Sequence, residues 1–521
     1  MAREKSALIL IAALAIALRF YDVTYQSLWG DEAFSIYAAK CVDMHFMTAS
    51  LVDATHRKFF NQDKTPRDLF TACIRNEGAP PAYYVALAIW IRAFGSSDFD
   101  VRSLSVLLGA LSVPALFLLG LRLFKRPGTA LIAALFIAVS PLNIYFSQEV
   151  RAYILANLLA LLSCWLFLRA VAEGSRSGAW AAYGLASLTL CYSFYFAALV
   201  LLAHFIYLLI HERRMLRPWF VTMAVVGLLF LPWCLIGLRT QLYVTSAYAP
   251  PGPASTRALL LTSAEQVRYI LDSLILGPLY SRVIIGDNAK LVIELGLLLL
   301  LTVGGIRLWR AGERRTVTFS LLILFVPLAI ISGYGLLKGT LWYMKPRYHM
   351  WEASGIFLLA AASVTTFRRT EVRATIICAF CTFSLLAAPY HFYPQLYNSG
   401  HAKPDFRAAA ETITRGQERG DIIIVNIAGH MIPFNIYYKG GLRQIGLAET
   451  GCYDLIEKLD EYTRKRRRVW LLVGHGTRGH GDREITAFLD GRFPIKKVYD
   501  LQGLTLIHYS RNAPERENQP K

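Results

Sequence analysis

Long apolar runs alternate with short polar connectors along the chain as far as residue 391. A helix needs about 20 apolar residues to cross roughly 30 Å of hydrocarbon. On that criterion the pattern predicts eleven transmembrane helices, at 6–22, 103–124, 127–146, 152–172, 178–194, 195–210, 216–237, 289–309, 316–337, 348–367 and 374–391. The two runs that meet at Ser193 are short, as tilted or bent helices would be. The first run follows Arg3 and Lys5 and has no small-residue cleavage site after it, so it reads as a retained signal-anchor helix.

The connectors give the orientation. Those at 122–126, 169–176, 211–217, 307–315 and 368–373 hold 15 Lys/Arg against 4 Glu, which the positive-inside rule places in the cytoplasm. Every other connector is then outside, including a large first loop at 23–102 and everything after 391. The segment Ala79 to Phe94, with Pro80-Pro81-Ala82-Tyr83-Tyr84, is too short for a comfortable span and begins with two prolines. A full crossing there would turn the basic connectors outward, so it is expected to lie in the outer leaflet as a juxtamembrane helix anchored by Tyr and Trp.

Beyond Pro394 the periodicity changes. An amphipathic helix opens at Lys403-Pro404-Asp405-Phe406-Arg407, and short buried strands are expected at Ile422–Val425, Val469–Val473, Ile495–Tyr499 and Leu504–His508. The fold class is therefore a polytopic α-helical membrane protein of about eleven transmembrane helices plus a juxtamembrane helix. Residues 1–394 form the membrane domain and 395–521 a small extracytoplasmic α/β domain.

Composition agrees with this division. Of 521 residues 55% are hydrophobic and only 17% charged, too apolar for a soluble chain of this size. The net charge of +19 does not point to nucleic acid, because the basic residues sit between apolar runs rather than on one soluble face. Among the eight cysteines, Cys378 and Cys381 fall inside an apolar run, where burial outweighs metal ligation. Cys41 and Cys73 share the first outer loop and are the pair that it offers for a disulfide, which would leave Cys452 over.

Three polar clusters carry candidate chemistry, all on the outer side by the parity above. The first is Trp29-Gly30-Asp31-Glu32-Ala33. Asp31 there is either a helix cap or a catalytic carboxylate with Glu32 beside it. The second is Ser147-Gln148-Glu149-Val150-Arg151-Ala152-Tyr153 at the outer end of the third run, where Glu149 and Arg151 either pair with each other or serve a substrate. The third is the connector from Lys338 to Tyr348. It holds Lys338, Lys345 and Arg347 and no acid, against the expected sign, and such an excess asks for an anion such as a phosphate at the membrane surface. A carboxylate that takes a proton from an attacking hydroxyl, with cations that stabilise a departing lipid phosphate, defines a glycosyl-transfer chemistry. The spacing Gly474-His475-Gly476-Thr477-Arg478-Gly479 matches a dinucleotide fingerprint. Too little chain follows to complete a nucleotide-binding half, and two histidines make a poor metal site.

Taken in order, the Trp-x-Asp-Glu-Ala pattern, the Pro-Pro-x-Tyr-Tyr segment, Ser-Gln-Glu-x-Arg-x-Tyr, Lys-Pro-Arg-Tyr and Lys-Pro-Asp-Phe-Arg resemble the GT-C integral-membrane glycosyltransferases. The likeness is to the bacterial relatives of protein O-mannosyltransferases and lipid A aminoarabinose transferases. The resemblance implies a polyprenyl-phosphate-linked sugar donor, an acceptor that is a glycan, a lipid or a protein, inversion at the anomeric carbon, and action on the periplasmic face of a bacterial inner membrane. By motif it makes Asp31 the base with Glu32 beside it, and Glu149 the second acid, which in some members helps to hold a divalent metal. It assigns Arg151, Tyr83, Lys345, Arg347 and Tyr348 to substrate. Ala79 stands where many members have His, and Ser193-Phe194-Tyr195 where many have Thr-His-Tyr, so roles tied to those positions do not carry over. A transporter of a lipid-linked sugar is the alternative from another class, and a non-catalytic scaffold a third. A transporter would be expected to show inverted repeats and charges at mid-span, which the pattern does not show clearly.

Overall fold

The computed structural model describes residues 2–42, 44, 51–55, 65–76, 78–175, 178–248, 255–277, 287–341, 343–393, 402–447, 455–474 and 482–511. The chain divides into two compact units, Met1–Val23 with Glu77–Ser399, and Thr24–Asn76 with Gly400–Lys521.

The first unit is helical. Among the described residues six helices have the length and apolarity to cross a membrane: Asp98–Phe124, Tyr153–Glu173, Arg213–Tyr243, Leu291–Arg310, Arg314–Leu337 and Thr370–Pro389. Pro127–Val139 and Pro141–Ser147 have that length and apolarity only when taken together, with a bend of 55° between them. The remaining apolar runs are shorter helices, Ala179–Cys191, Phe196–His211 and Met350–Val364, together with the amino-terminal helix Ala2–Phe20. Each of the eleven predicted runs is thus helical, but four lack the full length or apolarity of a span. A non-helical stretch, Tyr192–Tyr195, separates Ala179–Cys191 from the helix that ends at His211, at the boundary the sequence placed near Ser193. Ala82–Phe94 is a separate 13-residue helix, as the two prolines before it predict.

Lipid tails are as apolar as leucine, so helices in this unit associate by close packing rather than by hydrophobic expulsion from water. The twelve residues of Ala353–Val364 are all buried, as suits a helix apolar on every face. Gly355 lets this helix touch its neighbour, for a Cβ there would lie 2.5 Å from the Ser320 carbonyl oxygen.

The second unit is a six-stranded sheet with helices on both faces. Its strands are β1 (Leu51–Ala54), β2 (Ile422–Val425), β3 (Arg443–Leu447), β4 (Arg468–Gly474), β5 (Ile495–Leu501) and β6 (Leu504–Ser510), in the order β1-β3-β2-β4-β6-β5. The pairs β2–β3 and β2–β4 are parallel and the others antiparallel. β2 reads Ile-Ile-Ile-Val because both its faces are covered. Ile423 and Val425 pack with Phe406, Ala409, Ala410 and Ile413 of the helix Phe406–Gly416, while Ile422 and Ile424 pack with Leu459, Ile485 and Leu489 on the other side. Asp405 caps that first helix through the Ala408 amide at 3.0 Å. The exposed Lys496 and Lys497 mark β5 as an edge that resists further pairing.

The hydrophobic pattern groups residues 24–76 with the membrane part of the chain, yet in the structure they pack with the carboxy-terminal segment. The reason is β1, which lies antiparallel to β3 with Leu51 opposite Leu447 and Ala54 opposite Gln444. Cys41 and Cys73, offered by the sequence as a disulfide, are both buried and unbridged. Cys452, His475 and His480 lie outside the described residues. Among the described residues the strands that follow the glycine-rich segment, β5 and β6, pair antiparallel, unlike the parallel strands of a dinucleotide-binding half.

Candidate functional site

In the membrane unit the segment carrying Glu149 and Arg151 emerges from a broken helix. Pro141 has no amide hydrogen and stops the helix Pro127–Val139, and the Ser140 hydroxyl accepts from the Asn143 amide to start the short helix Pro141–Ser147. The chain then turns through Gln148–Ala152, with the Arg151 amide donating to the Glu149 carbonyl at 2.9 Å. Glu149 is 2% exposed. The Arg151 guanidinium lies over the Tyr153 ring, 5.6 Å from its centre.

Beside this turn lies a cavity of about 400 Å³ with a predominantly apolar wall, and Arg151 is the charged side chain among its lining residues. Aromatic rings close it. Tyr153, Phe194 and Tyr348 contact one another at centroid distances of 5.4 to 6.1 Å. Arg347 in turn lies 5.3 Å above the Tyr348 ring. Ser193 is also among the lining residues, and its hydroxyl is buried with no hydrogen-bond partner among the described residues.

The other wall is pinned to the segment after Gly78. Tyr195 donates to the Gly78 carbonyl at 2.8 Å and receives a bond from the Trp233 indole at 2.9 Å. Gly78 has φ +66°, and a Cβ there would lie 2.4 Å from Gln241 N and Gly237 O, so only glycine fits. Tyr84 lines the cavity, whereas Tyr83, the residue singled out from the sequence, is buried with its hydroxyl 2.7 Å from Ser105.

Lys345 and Arg347 flank Pro346 at a 3₁₀ turn, Pro346–Tyr348, and neither lines the cavity. The loop is held by Gln266, which donates to the Met344 carbonyl at 2.5 Å. Just after it, His349 Nδ1 and Glu352 Oε1 meet at 2.8 Å with both side chains fully buried, a pair that the sequence did not single out.

The first acidic cluster belongs to the second unit. Asp31 and Glu32 sit in the first turn of the helix Gly30–Ala39. Trp29 is at the cap position and makes no side-chain cap bond, so Asp31 is not the N-cap. The two carboxylates differ in setting: Asp31 is half-buried, whereas Glu32 is fully buried and 3.0 Å from Lys403 Nζ. Lys403 also lies 5.9 Å from the Trp29 ring centre. Arg407 donates to the Thr24 carbonyl at 2.9 Å, and Tyr437 accepts from the Leu28 amide at 2.7 Å. The Lys403–Arg407 motif therefore grips the Thr24–Glu32 segment. Among the described residues no three His, Cys, Asp or Glu side chains are grouped to hold a metal ion. Glu149 is not part of such a group among the described residues.

A family model described as dolichyl-phosphate-mannose-protein mannosyltransferase matches residues 78–236, a stretch that contains Tyr83, Glu149 and Arg151. No curated protein matches. Among solved structures, ArnT from Cupriavidus metallidurans bound to undecaprenyl phosphate is 12% identical, with 96% of this chain and 97% of that one covered and a TM-score of 0.56. The apo state of the same protein is 13% identical, covered over 98% and 99%, again with a TM-score of 0.56. The archaeal oligosaccharyltransferase AglB from Archaeoglobus fulgidus, in complex with an inhibitory peptide and a dolichol-phosphate, is 11% identical, covered over 99% and 75%, with a TM-score of 0.53. The chain is a multi-pass membrane protein with the fold of the GT-C glycosyltransferases, the class that its motifs resemble.

Proposed function

We propose that the protein is a glycosyltransferase that moves one sugar from a polyprenyl phosphate to an acceptor hydroxyl outside the cytoplasm, with inversion. The observation that carries this reading is the aromatic cavity of the membrane unit, with Arg151 in its wall. An apolar chamber with one guanidinium suits an amphiphile whose phosphate meets the cation and whose chain fills the rest.

The reaction follows from the residue types. Asp31, the accessible member of its pair, takes the proton from the acceptor hydroxyl as the oxygen attacks the anomeric carbon. The bond from that carbon to the phosphate oxygen breaks on the opposite face, and the lipid phosphate departs with the electron pair. Arg151, Lys345 and Arg347 stabilise the charge it gains. Glu149 is assigned as the second acid, and Glu32 holds the Asp31 segment through Lys403. The periplasmic side of a bacterial inner membrane is the expected place of action, on the charge asymmetry of the connectors.

The test is mass spectrometry of lipid-linked sugars in cells with the wild-type protein, without it, or with Asp31→Asn or Arg151→Ala. Accumulation of one polyprenyl-phosphate sugar in all three defective strains, with loss of one residue from one glycan, supports the reading and identifies both substrates. Wild-type lipids in the Asp31→Asn strain would contradict it and favour transport or scaffolding.

A further inference from the structure

Arg19 is a full charge near the end of the amino-terminal helix, and it is completely buried. A charge in such a place is retained only where its donors are used. Here they converge on the broken helix. In an unbroken helix the Ile137 carbonyl would accept from the amide of residue 141, but residue 141 is proline and has none. Arg19 Nη2 supplies the missing donor at 3.0 Å. Its Nη1 serves the next carbonyl, Ala138, at 2.9 Å, and the Ala15 carbonyl at 3.2 Å. Its Nε reaches across the break to the Ser147 hydroxyl at 3.2 Å.

Two further features complete the arrangement. Gln148 returns the contact, donating to the Arg19 carbonyl at 3.0 Å and to the Tyr21 carbonyl at 2.8 Å. Gly109 in the helix Asp98–Phe124 leaves the room that Ser147 occupies: a Cβ at 109 would lie 2.0 Å from Ser147 Oγ and 3.2 Å from Arg19 Nε. One side chain therefore bonds both sides of the bend, one residue before Gln148 and two before Glu149.

We infer, resting on the glycosyltransferase reading, that Arg19 is a positioning residue that fixes the bend at Ser140–Pro141 and thereby sets where Glu149 and Arg151 are presented. Lysine keeps the charge but cannot bond Ile137, Ala138 and Ser147 together, because it lacks the planar fork.

The experiment uses the full chain in detergent, as wild type, Arg19→Met, Arg19→Lys, Gly109→Ala and Gln148→Met, with Arg151→Ala as the reference for the lipid site. Folding is checked first by helical circular dichroism and monodispersity; Gln148→Met and Gly109→Ala keep the buried charge, so the test survives if Arg19→Met does not fold. The readouts are amide exchange over 137–151 compared with Tyr153–Glu173, and binding of undecaprenyl phosphate. The expected result is exchange at least about tenfold faster over 137–151 alone, with lipid binding weakened about tenfold, and Arg19→Lys intermediate. Unchanged exchange over 137–151, or an equal rise across both segments, would overturn the positioning role. So would a local rise with wild-type binding in the Arg19 variants while Arg151→Ala binds weakly. Wild-type binding by Arg151→Ala itself would instead remove the lipid-site reading, and the positioning role with it.

Discussion

Single residues decide which of two adjacent acids is available for chemistry. Glu32 is consumed by Lys403, 371 positions away in sequence, and no local pattern announces such a pairing. Breaking a buried pair from one side typically costs about 3–5 kcal/mol, because the other charge stays buried. Lys403→Met should therefore lower the unfolding midpoint of the detergent-solubilised chain sharply, and Glu32→Gln with Lys403→Met should recover part of the loss. A double variant no more stable than Lys403→Met would show that the pair does not matter in this way. Arg19 was equally illegible, since one basic residue at the end of an apolar run looks like an interfacial anchor. Only the fold reveals that Pro141 needs its donors. Asp31, Glu149 and Arg151 stand out in the sequence because acids and bases at the ends of spans contrast with an apolar background.

A second residue-scale prediction concerns pH. His508 stacks on Trp470 with ring centres 4.1 Å apart and accepts from Arg468 Nε at 3.0 Å through Nε2. Burial, reinforced by the Arg468 charge, lowers its pKa to about 4. The folded state thus prefers neutral His508, while the unfolded chain takes up a proton near pH 6.5. This contribution to stability is complete above about pH 6.5 and is lost as pH falls toward 4. His508→Asn should flatten that part of the melting-temperature profile. An identical pH dependence in variant and wild type would contradict the assignment.

At the scale of elements, regular pattern was readable and long-range pairing was not. β2, β4, β5 and β6 follow from short β-rich runs, whereas β1 is four residues in a polar loop and becomes a strand only by lying against β3. β3 itself was missed because Gly446 weakens its pattern; that glycine is needed, as a Cβ there would lie 2.3 Å from Met431 Sδ. The eleven apolar runs were legible as helices, and so was the boundary at Ser193. The break at Pro141 was not, because hydropathy stays high through it, and Thr256–Leu276 was missed because its polar residues hide it in a connector. Helix contact makes a prediction here. Gly355→Leu should force Ala353–Val364 away from Arg314–Leu337 and destabilise the membrane unit by at least about 1–3 kcal/mol, read as a lower melting temperature in detergent. A wild-type melting temperature would mean that the close approach at Ser320 is not required.

At the scale of the whole molecule, the chain joins a membrane unit that contains the aromatic cavity to a second unit that contains Asp31 and Glu32. The second unit is discontinuous in sequence, so a boundary read from composition alone separates Glu32 from Lys403. The charge asymmetry of the connectors predicts that the second unit lies outside the cytoplasm. A cysteine introduced at the exposed Val498 should react with a membrane-impermeant maleimide in intact spheroplasts, and labelling only after lysis would reverse the topology.

The most direct measurement of the central claim uses the purified chain in proteoliposomes supplied with the expressing cells' lipid-linked sugars and a glycolipid extract as acceptor. Glycosyl transfer predicts that wild type releases polyprenyl phosphate and lengthens an acceptor by one sugar, whereas Asp31→Asn does neither. Movement of the lipid-linked sugar across the bilayer with its glycosidic bond intact, equal in wild type and Asp31→Asn, would contradict the account and make the protein a transporter.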